Sequence, residues 1–327
     1  MSVFGSRPAI GIGLALWTLL AAALATLAPL WVYAVSLAVF GLPHVLVELR
    51  YIDLRFAARI PRWALRWLLG GLLLVALLRL AAFLGMGGSL VRLELSLGIG
   101  LVAIAVPIAI ARTSRAGAAI GFAVAGSLLA GVVYAPLETL VLLALLHNLT
   151  PVGFLAERLR GHQRRWAMLA CAAAFAVLPA CIVAWPIAPT LLEGPLATGS
   201  IEHHLHAFVP AALHGSTLGE RLFAAAAFLQ VMHYTVVIGI LPRLQAAASG
   251  TAKVATIVPW PRGTRLFAST VVALGVAAAL SFALDFGKAR SGYAVFAAVH
   301  AWIEIPILLL ACCAAPSANT TAEVQTA

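Results

Sequence analysis

Acidic residues are scarce in this chain, with 11 Asp and Glu in 327 residues, and charge of either sign accounts for only 10%. A soluble domain carries about a quarter of its residues as charged groups, so a water-facing surface over most of the molecule is excluded. Cysteine is also sparse. Cys171, Cys181, Cys312 and Cys313 fall in or at the end of apolar runs, without CxxC spacing. They read as small buried hydrophobes rather than a disulfide framework or a thiolate metal site. The short alternating segments of a transmembrane β-barrel are missing too. No closed metal motif such as HExxH occurs.

What is present is hydrophobic sequence: 63% of residues, with a mean hydropathy of +1.04. The runs are near twenty residues long and predict an all-α polytopic transmembrane helix bundle. Ten spans are read: Ala9–Ala28, Leu30–Leu49, Trp63–Leu84, Leu95–Ile110, Ala116–Val133, Pro136–Thr150, Trp166–Trp185, Leu222–Leu241, Leu266–Leu284 and Tyr293–Cys313. "ALATLA" near the end of the first run looks like a leader-peptide cleavage site. The run leads straight into another span, so it is read as the first helix. Residues 1–314 are expected to form one transmembrane domain. The small, polar stretch 315–327 is expected to be disordered.

The net charge of +10 does not indicate nucleic acid, because the arginines lie in short patches between apolar runs, as the positive-inside bias requires. With the N-terminus in the cytoplasm, 16 of the 21 Lys and Arg fall on the inner side. Arg79, Arg92, Arg221, Lys288 and Arg290 do not. That asymmetry predicts both termini inside, in a bacterial-type plasma membrane. Reporter fusions at Arg55, Arg164 and Lys253 are therefore expected to read cytoplasm, and a fusion near Glu193 the opposite side. A cytoplasmic signal near Glu193 would overturn the span count.

The nine histidines fall into groups. His162 lies in the basic loop "RLRGHQRR". His203, His204, His206 and His214 lie in the outer loop "IEHHLHAFVPAALHG", where a surface metal site, a lid over a substrate entrance and a plain interfacial segment are all open readings. His44, His147, His233 and His300 are inside four spans that run in the same direction. Counted from their inner ends at about 1.5 Å per residue, all four lie between the inner surface and the mid-membrane. His44–Glu48 and His300–Glu304 repeat an i,i+4 spacing, which puts each acid on its histidine's helix face. A carboxylate there can ligate a metal or accept the second ring N–H of a ligating histidine. A single intramembrane histidine is often only an interhelical hydrogen-bond donor. Four at one depth, two of them with an acid, point to a metal or cofactor site. Asn148, Gln230 and Tyr234 add polar groups at that depth.

"GLPHVLVE", Gly41 to Glu48, resembles the Gly-Ile/Leu-Pro-His-x-x-x-Asp stretch of the Brp/Blh family of integral-membrane β-carotene 15,15′-dioxygenases, with Glu48 where the family has Asp. "VMHYTVVIGILPRL" and "VHAWIEIPILLL" are loosely similar to that family's later histidine helices. The family has about eight spans, and a second histidine four residues from His233 is missing here. The resemblance implies a non-haem iron oxygenase with Fe(II) held by His44, His147, His233 and His300, Glu48 and Glu304 as ligands or as acceptors behind them, and Tyr234 donating to bound oxygen. The substrate would be a hydrophobic, carotenoid- or lipid-like molecule taken from the bilayer. Multi-histidine hydroxylases and desaturases fit less well, since their HxxxH and HxxHH boxes are absent. Zinc and copper also accept imidazole, a pair of haems could use the same four histidines, and a metal- or proton-coupled transporter is the remaining rival.

Overall fold

The structure is a computed structural model that describes residues 8–86, 90–111, 115–185, 194–246, 256–261 and 263–312. Among these there is no strand. The helices are α1 (Pro8–Leu27), α2 (Pro29–Phe56), α3 (Arg62–Phe83), α4 (Leu90–Ala111), α5 (Arg115–Tyr134), α6 (Pro136–His147), α7 (Thr150–Arg158), α8 (Gly161–Ala172), α9 (Leu178–Ala184), α10 (Thr217–Tyr234), α11 (Leu241–Ala246), α12 (Thr264–Leu284) and α13 (Phe286–Cys312). Wider π-helical turns at Ala173–Val177 and Thr235–Ile240 join α8 to α9 and α10 to α11.

Each predicted span falls on one of these helical rods. Among the described residues, seven segments are long and apolar enough to cross a membrane. Gly11–Leu27 and Ala119–Tyr134 are shorter apolar helices. The chain is thus an all-helical protein of the multi-pass membrane type. The short sixth run continues past His147 through α7, and Pro136–Arg158 together make a candidate span of 23 residues. The stretch 315–327 and the region around Glu193 lie outside the described residues.

Two tight reversals follow from one dipeptide. Ala28 (φ −140°, ψ 61°) and Ala135 (φ −151°, ψ 65°) each precede a proline that opens the next helix. Proline disfavours the helical region for the residue before it, yet suits the first helical position itself. Ala-Pro therefore ends one rod and starts another with no loop between.

Burial is inverted relative to a soluble protein. Leu16, Trp67, Leu73 and Leu280 are among many large apolar side chains left exposed, as expected for a lipid-facing surface. The polar groups sit inside. From Phe223 to Tyr234 only Val231 is not buried, so α10 is a central helix packed on all sides. It touches α1, α2 and α9, while α13 packs on α2, α3, α4, α7 and α12. Close approaches are made by glycine. A methyl at Gly275 on α12 would stand 2.7 Å from Pro43 Cγ on α2, and one at Gly98 on α4 would overlap the Trp302 indole of α13.

Asp53 ties the C-terminal end of α2 to a segment about 200 residues later. Its carboxylate accepts from the Ile257 N–H at 2.9 Å, the Val258 N–H at 3.0 Å and the Trp260 indole at 2.8 Å. With all these donors on a buried acid, the helix that carries His44 and Glu48 has a fixed depth.

Candidate metal centre

Four helices deliver the centre. His44 and Glu48 come from α2 one turn apart, His147 is the last residue of α6, His233 stands one residue before the end of α10, and His300 and Glu304 come from α13. Local breaks present two of these. α6 stops at His147, whose carbonyl accepts from the Thr150 hydroxyl at 2.8 Å. The π turn begins two residues after His233, and such turns recur at functional sites.

One ligand atom from each of His44, His147, His233 and His300 lies within 4.8 Å of all the others. The same spacing holds for Glu48, His233, His300 and Glu304, so the two sets share His233 and His300. Metal bonds of about 2.0–2.1 Å put opposite donors about 4.2 Å apart. Contraction by a few tenths of an ångström per group would bring either set into coordination.

The hydrogen bonds show which ring nitrogens remain available. His44 Nδ1 lies 3.2 Å from the Phe40 carbonyl oxygen. That oxygen only accepts, so Nδ1 carries the hydrogen and Nε2 keeps its lone pair. His147 Nδ1 lies 2.7 Å from Glu304 Oε2, which again leaves Nε2. His300 is turned the other way. Its Nε2 sits 2.9 Å from both Glu48 Oε2 and Glu304 Oε1, while Nδ1 has no hydrogen-bond partner. His233 makes no hydrogen bond at either nitrogen, with Nε2 3.4 Å from Glu48 Oε2. A buried polar atom without a partner is costly. Here such atoms belong to His233 and His300, both members of the cluster, and a cation would satisfy them.

Charge points the same way. Glu48, His233, His300 and Glu304 are wholly buried. The ion pairs of Glu48 and Glu304 among the described residues are with histidines; neither meets Lys or Arg. Two carboxylates without a fixed cation are expensive in a membrane interior. One divalent ion would neutralise both. The carboxylates then hold the imidazole N–H groups, fixing tautomer and ring orientation.

No known protein family, curated protein or solved structure matches this chain. The centre is read from its own chemistry.

Tyr234 lies beside the cluster, its ring 4.3 Å from that of His44, and its hydroxyl is hydrogen-bonded to that of Tyr293. Gln230 lines the cavity beside the histidines and donates to the Tyr33 carbonyl and to Ser36 Oγ. Asn148 caps its own helix through the Ala144 carbonyl.

A cavity of about 440 Å³ adjoins the histidines, with His44, His147, Asn148, Tyr234, Tyr293 and Trp302 in its walls. A second, nearly all-apolar cavity of about 550 Å³ lies between α1, α2 and the π turn after α10. Trp17, Leu24, Trp31 and Phe40 in its walls are exposed on the outer surface. Tyr234 borders both cavities.

One charged pair was not expected. Arg79 on α3 meets Glu94 on α4 at 2.7 Å, and the Trp302 indole donates to Glu94 at 2.9 Å. Both charged groups line the cavity beside the histidines. Arg79 lies inside the predicted span Trp63–Leu84, where its run "LLVALLRLAAF" is apolar on both sides. A charge inside such a run signals a partner on a neighbouring helix.

The outer-loop histidines do not form one site. His204 Nε2 donates to the Thr198 carbonyl at 2.7 Å, His214 Nε2 to the Val209 carbonyl at 2.9 Å, and His203 bonds Ser200. His206 Nε2 accepts from Arg290 at 3.1 Å. The loop folds as short 3-10 turns, and its Ala207 and Phe208 line the cavity beside the histidines. Of the three readings, a cover over that cavity is the one this geometry favours. Burial, aided by Arg290, holds His204 and His206 below the ordinary value of 6.5. A base depressed in the folded state stabilises that state above its unfolded value, and this is lost as pH falls. Hydrogen-exchange protection of residues 200–214 is therefore expected to be full at neutral pH and to fall below about pH 6.5. Unchanged protection at about pH 5 would show that neither ring matters to the loop.

Proposed function

We propose that this chain is an integral-membrane metalloenzyme, a non-haem iron oxygenase that takes a hydrophobic substrate from the bilayer. The observation that carries the reading is the pairing of four convergent imidazoles with two buried carboxylates that meet no Lys or Arg among the described residues. His44, His147, His233 and His300 would hold the metal, and Glu48 and Glu304 would hold the rings. Neutral imidazoles suit Fe(II), which supplies dioxygen chemistry when bound. The resemblance of Gly41–Glu48 to the Brp/Blh stretch supports iron over zinc or copper.

The chain's own groups have distinct tasks in this reading. The carboxylates hold a hydrogen on Nδ1 of His147 and on Nε2 of His300, so each ring keeps a lone pair on its other nitrogen. Tyr234, between the apolar groove and the histidines, guides an apolar molecule inward and closes one wall of the reacting space. The bundle keeps water from that space. Ten spans, both termini cytoplasmic, and a bacterial-type plasma membrane complete the proposal. Four histidine nitrogens clustered within 4.8 Å leave no flat slot for a porphyrin between them, which disfavours the haem reading.

Metal analysis with an absorption spectrum tests this. Protein purified in detergent is expected to carry about one iron per chain, bound by imidazole without a thiolate, and to show no Soret band. Metal-free protein that cannot be loaded with iron, or a Soret band, would overturn the reading.

A further inference from the structure

Resting on that metal reading, we infer that the cavity beside the histidines is a ruler for a long-chain carboxylate: Arg290 holds the acid group and the chain runs along α13 to the histidines. The cavity of about 440 Å³ reaches His44 and His147 at one end and Tyr33, Phe208 and Arg290 at the other. Its volume lies in the range of single-ligand pockets, about 300–1,000 Å³. One wall is a single face of α13: Arg290, Tyr293, Ala294, Ala297, Ala298 and Ala301, spaced by three and four as one helix face requires. The alanines leave a groove parallel to the helix axis, and the walls are mainly apolar, as an extended hydrocarbon chain needs.

The ends of the cavity differ in charge. Of its two cations, Arg79 is neutralised by Glu94. Arg290 is not: its contacts are the neutral acceptor His206 Nε2 at 3.1 Å and the face of Tyr33 at 5.9 Å, and no carboxylate pairs with it among the described residues. Arg290 is half-buried in the first turns of α13, where its fork can take a carboxylate through two parallel N–H bonds. A pure hydrocarbon would leave this cation unused.

Helix geometry sets the length. Arg290 and His300 are ten residues apart on one helix, a rise of about 15 Å. An extended chain advances about 1.2 Å per bond, so the cluster lies roughly a dozen bonds from the acid group. The middle of a common long-chain acid, not its head or tail, then rests at the metal.

The test uses full-length protein in nanodiscs with octadecanoic acid and its methyl ester as probes. The acid is expected to bind at least about tenfold more tightly than the ester, the scale of a charge-assisted hydrogen bond. R290Q is expected to erase that preference and R290K to retain most of it, with metal content unchanged in both. In cobalt(II)-loaded protein, octadecanoic acids carrying a nitroxide near the head, mid-chain or tail are expected to show the strongest paramagnetic broadening for the mid-chain label. Equal affinity for acid and ester, an undiminished preference in R290Q, or strongest broadening at head or tail would overturn the ruler. Failure to retain cobalt would overturn the metal centre, and the acid–ester comparison would still decide the role of Arg290.

Discussion

Replacing His300 by alanine is expected to empty the metal centre. His300 belongs to both four-residue sets and is the ring that both carboxylates grip, at 2.9 Å each. Its loss removes a ligand and leaves Glu48 Oε2 and Glu304 Oε1 without their closest partner. Loss of a group behind the ligands costs about 10–100-fold in metal affinity, and a ligand should cost more. Metal per chain in His300→Ala is therefore expected to fall below detection after dialysis against a chelator that leaves the parent loaded. Glu48→Gln is the graded comparison: its amide oxygen still accepts from His300, so it should lose about 10–100-fold and no more. A His300→Ala protein that keeps its metal would place the ion elsewhere. A Glu48→Gln protein that loses metal as completely would make Glu48 a ligand.

The second large effect lies away from the metal. Arg79→Ala is expected to destabilise the bundle by about 3–5 kcal/mol, the cost of leaving one member of a buried ion pair uncompensated. Glu94 is 4% exposed and would keep only the Trp302 indole. Arg79→Leu combined with Glu94→Leu should recover most of the loss, because it removes both charges together. Thermal unfolding in detergent reads both variants. A single variant as stable as the parent, or a double variant worse than the single, would show that the pair is not what holds α3 to α4. Trp302 ties this pair to α13, the helix that also carries His300 and Glu304.

The sequence disclosed the site more fully than the chemistry around it. The histidines were legible because a polar ring in an apolar helix is conspicuous, and equal depth could be counted from the basic ends of the spans. The acids were legible from i,i+4 spacing. Their division of labour was not, because which nitrogen of His147 or His300 faces a carboxylate depends on rotations about helix axes that spacing alone does not set. Glu304 shows this: its bond to His147 joins residues 157 positions apart. Arg79–Glu94 went unread because positive-inside counting records the side on which an arginine falls, not the partner it meets on a neighbouring helix. The outer cluster looked like a possible ligand set, but each ring is bonded to a nearby backbone carbonyl, to Ser200 or to Arg290, a pattern that three-residue spacing cannot distinguish from convergence. The helices were plain because the apolar runs have bilayer length, and the Ala-Pro steps marked two of their ends.

The spread of the ligands along the chain has a consequence for biogenesis. Glu48 and His300 are separated by 252 residues, which at about 5–20 residues per second amounts to roughly ten to fifty seconds of translation. During that interval α2 is already in the membrane with an acid whose partner has not been made. The insertion machinery must accept it on the strength of the flanking leucines and valines alone, against about 2.5–3.5 kcal/mol for a charge at a helix centre. His300 and Glu304 are made after every other member of the cluster, so the cluster is complete only once α13 has joined the earlier helices. A chain truncated before Phe286 would be a ladder of inserted helices with no capacity to acquire a metal.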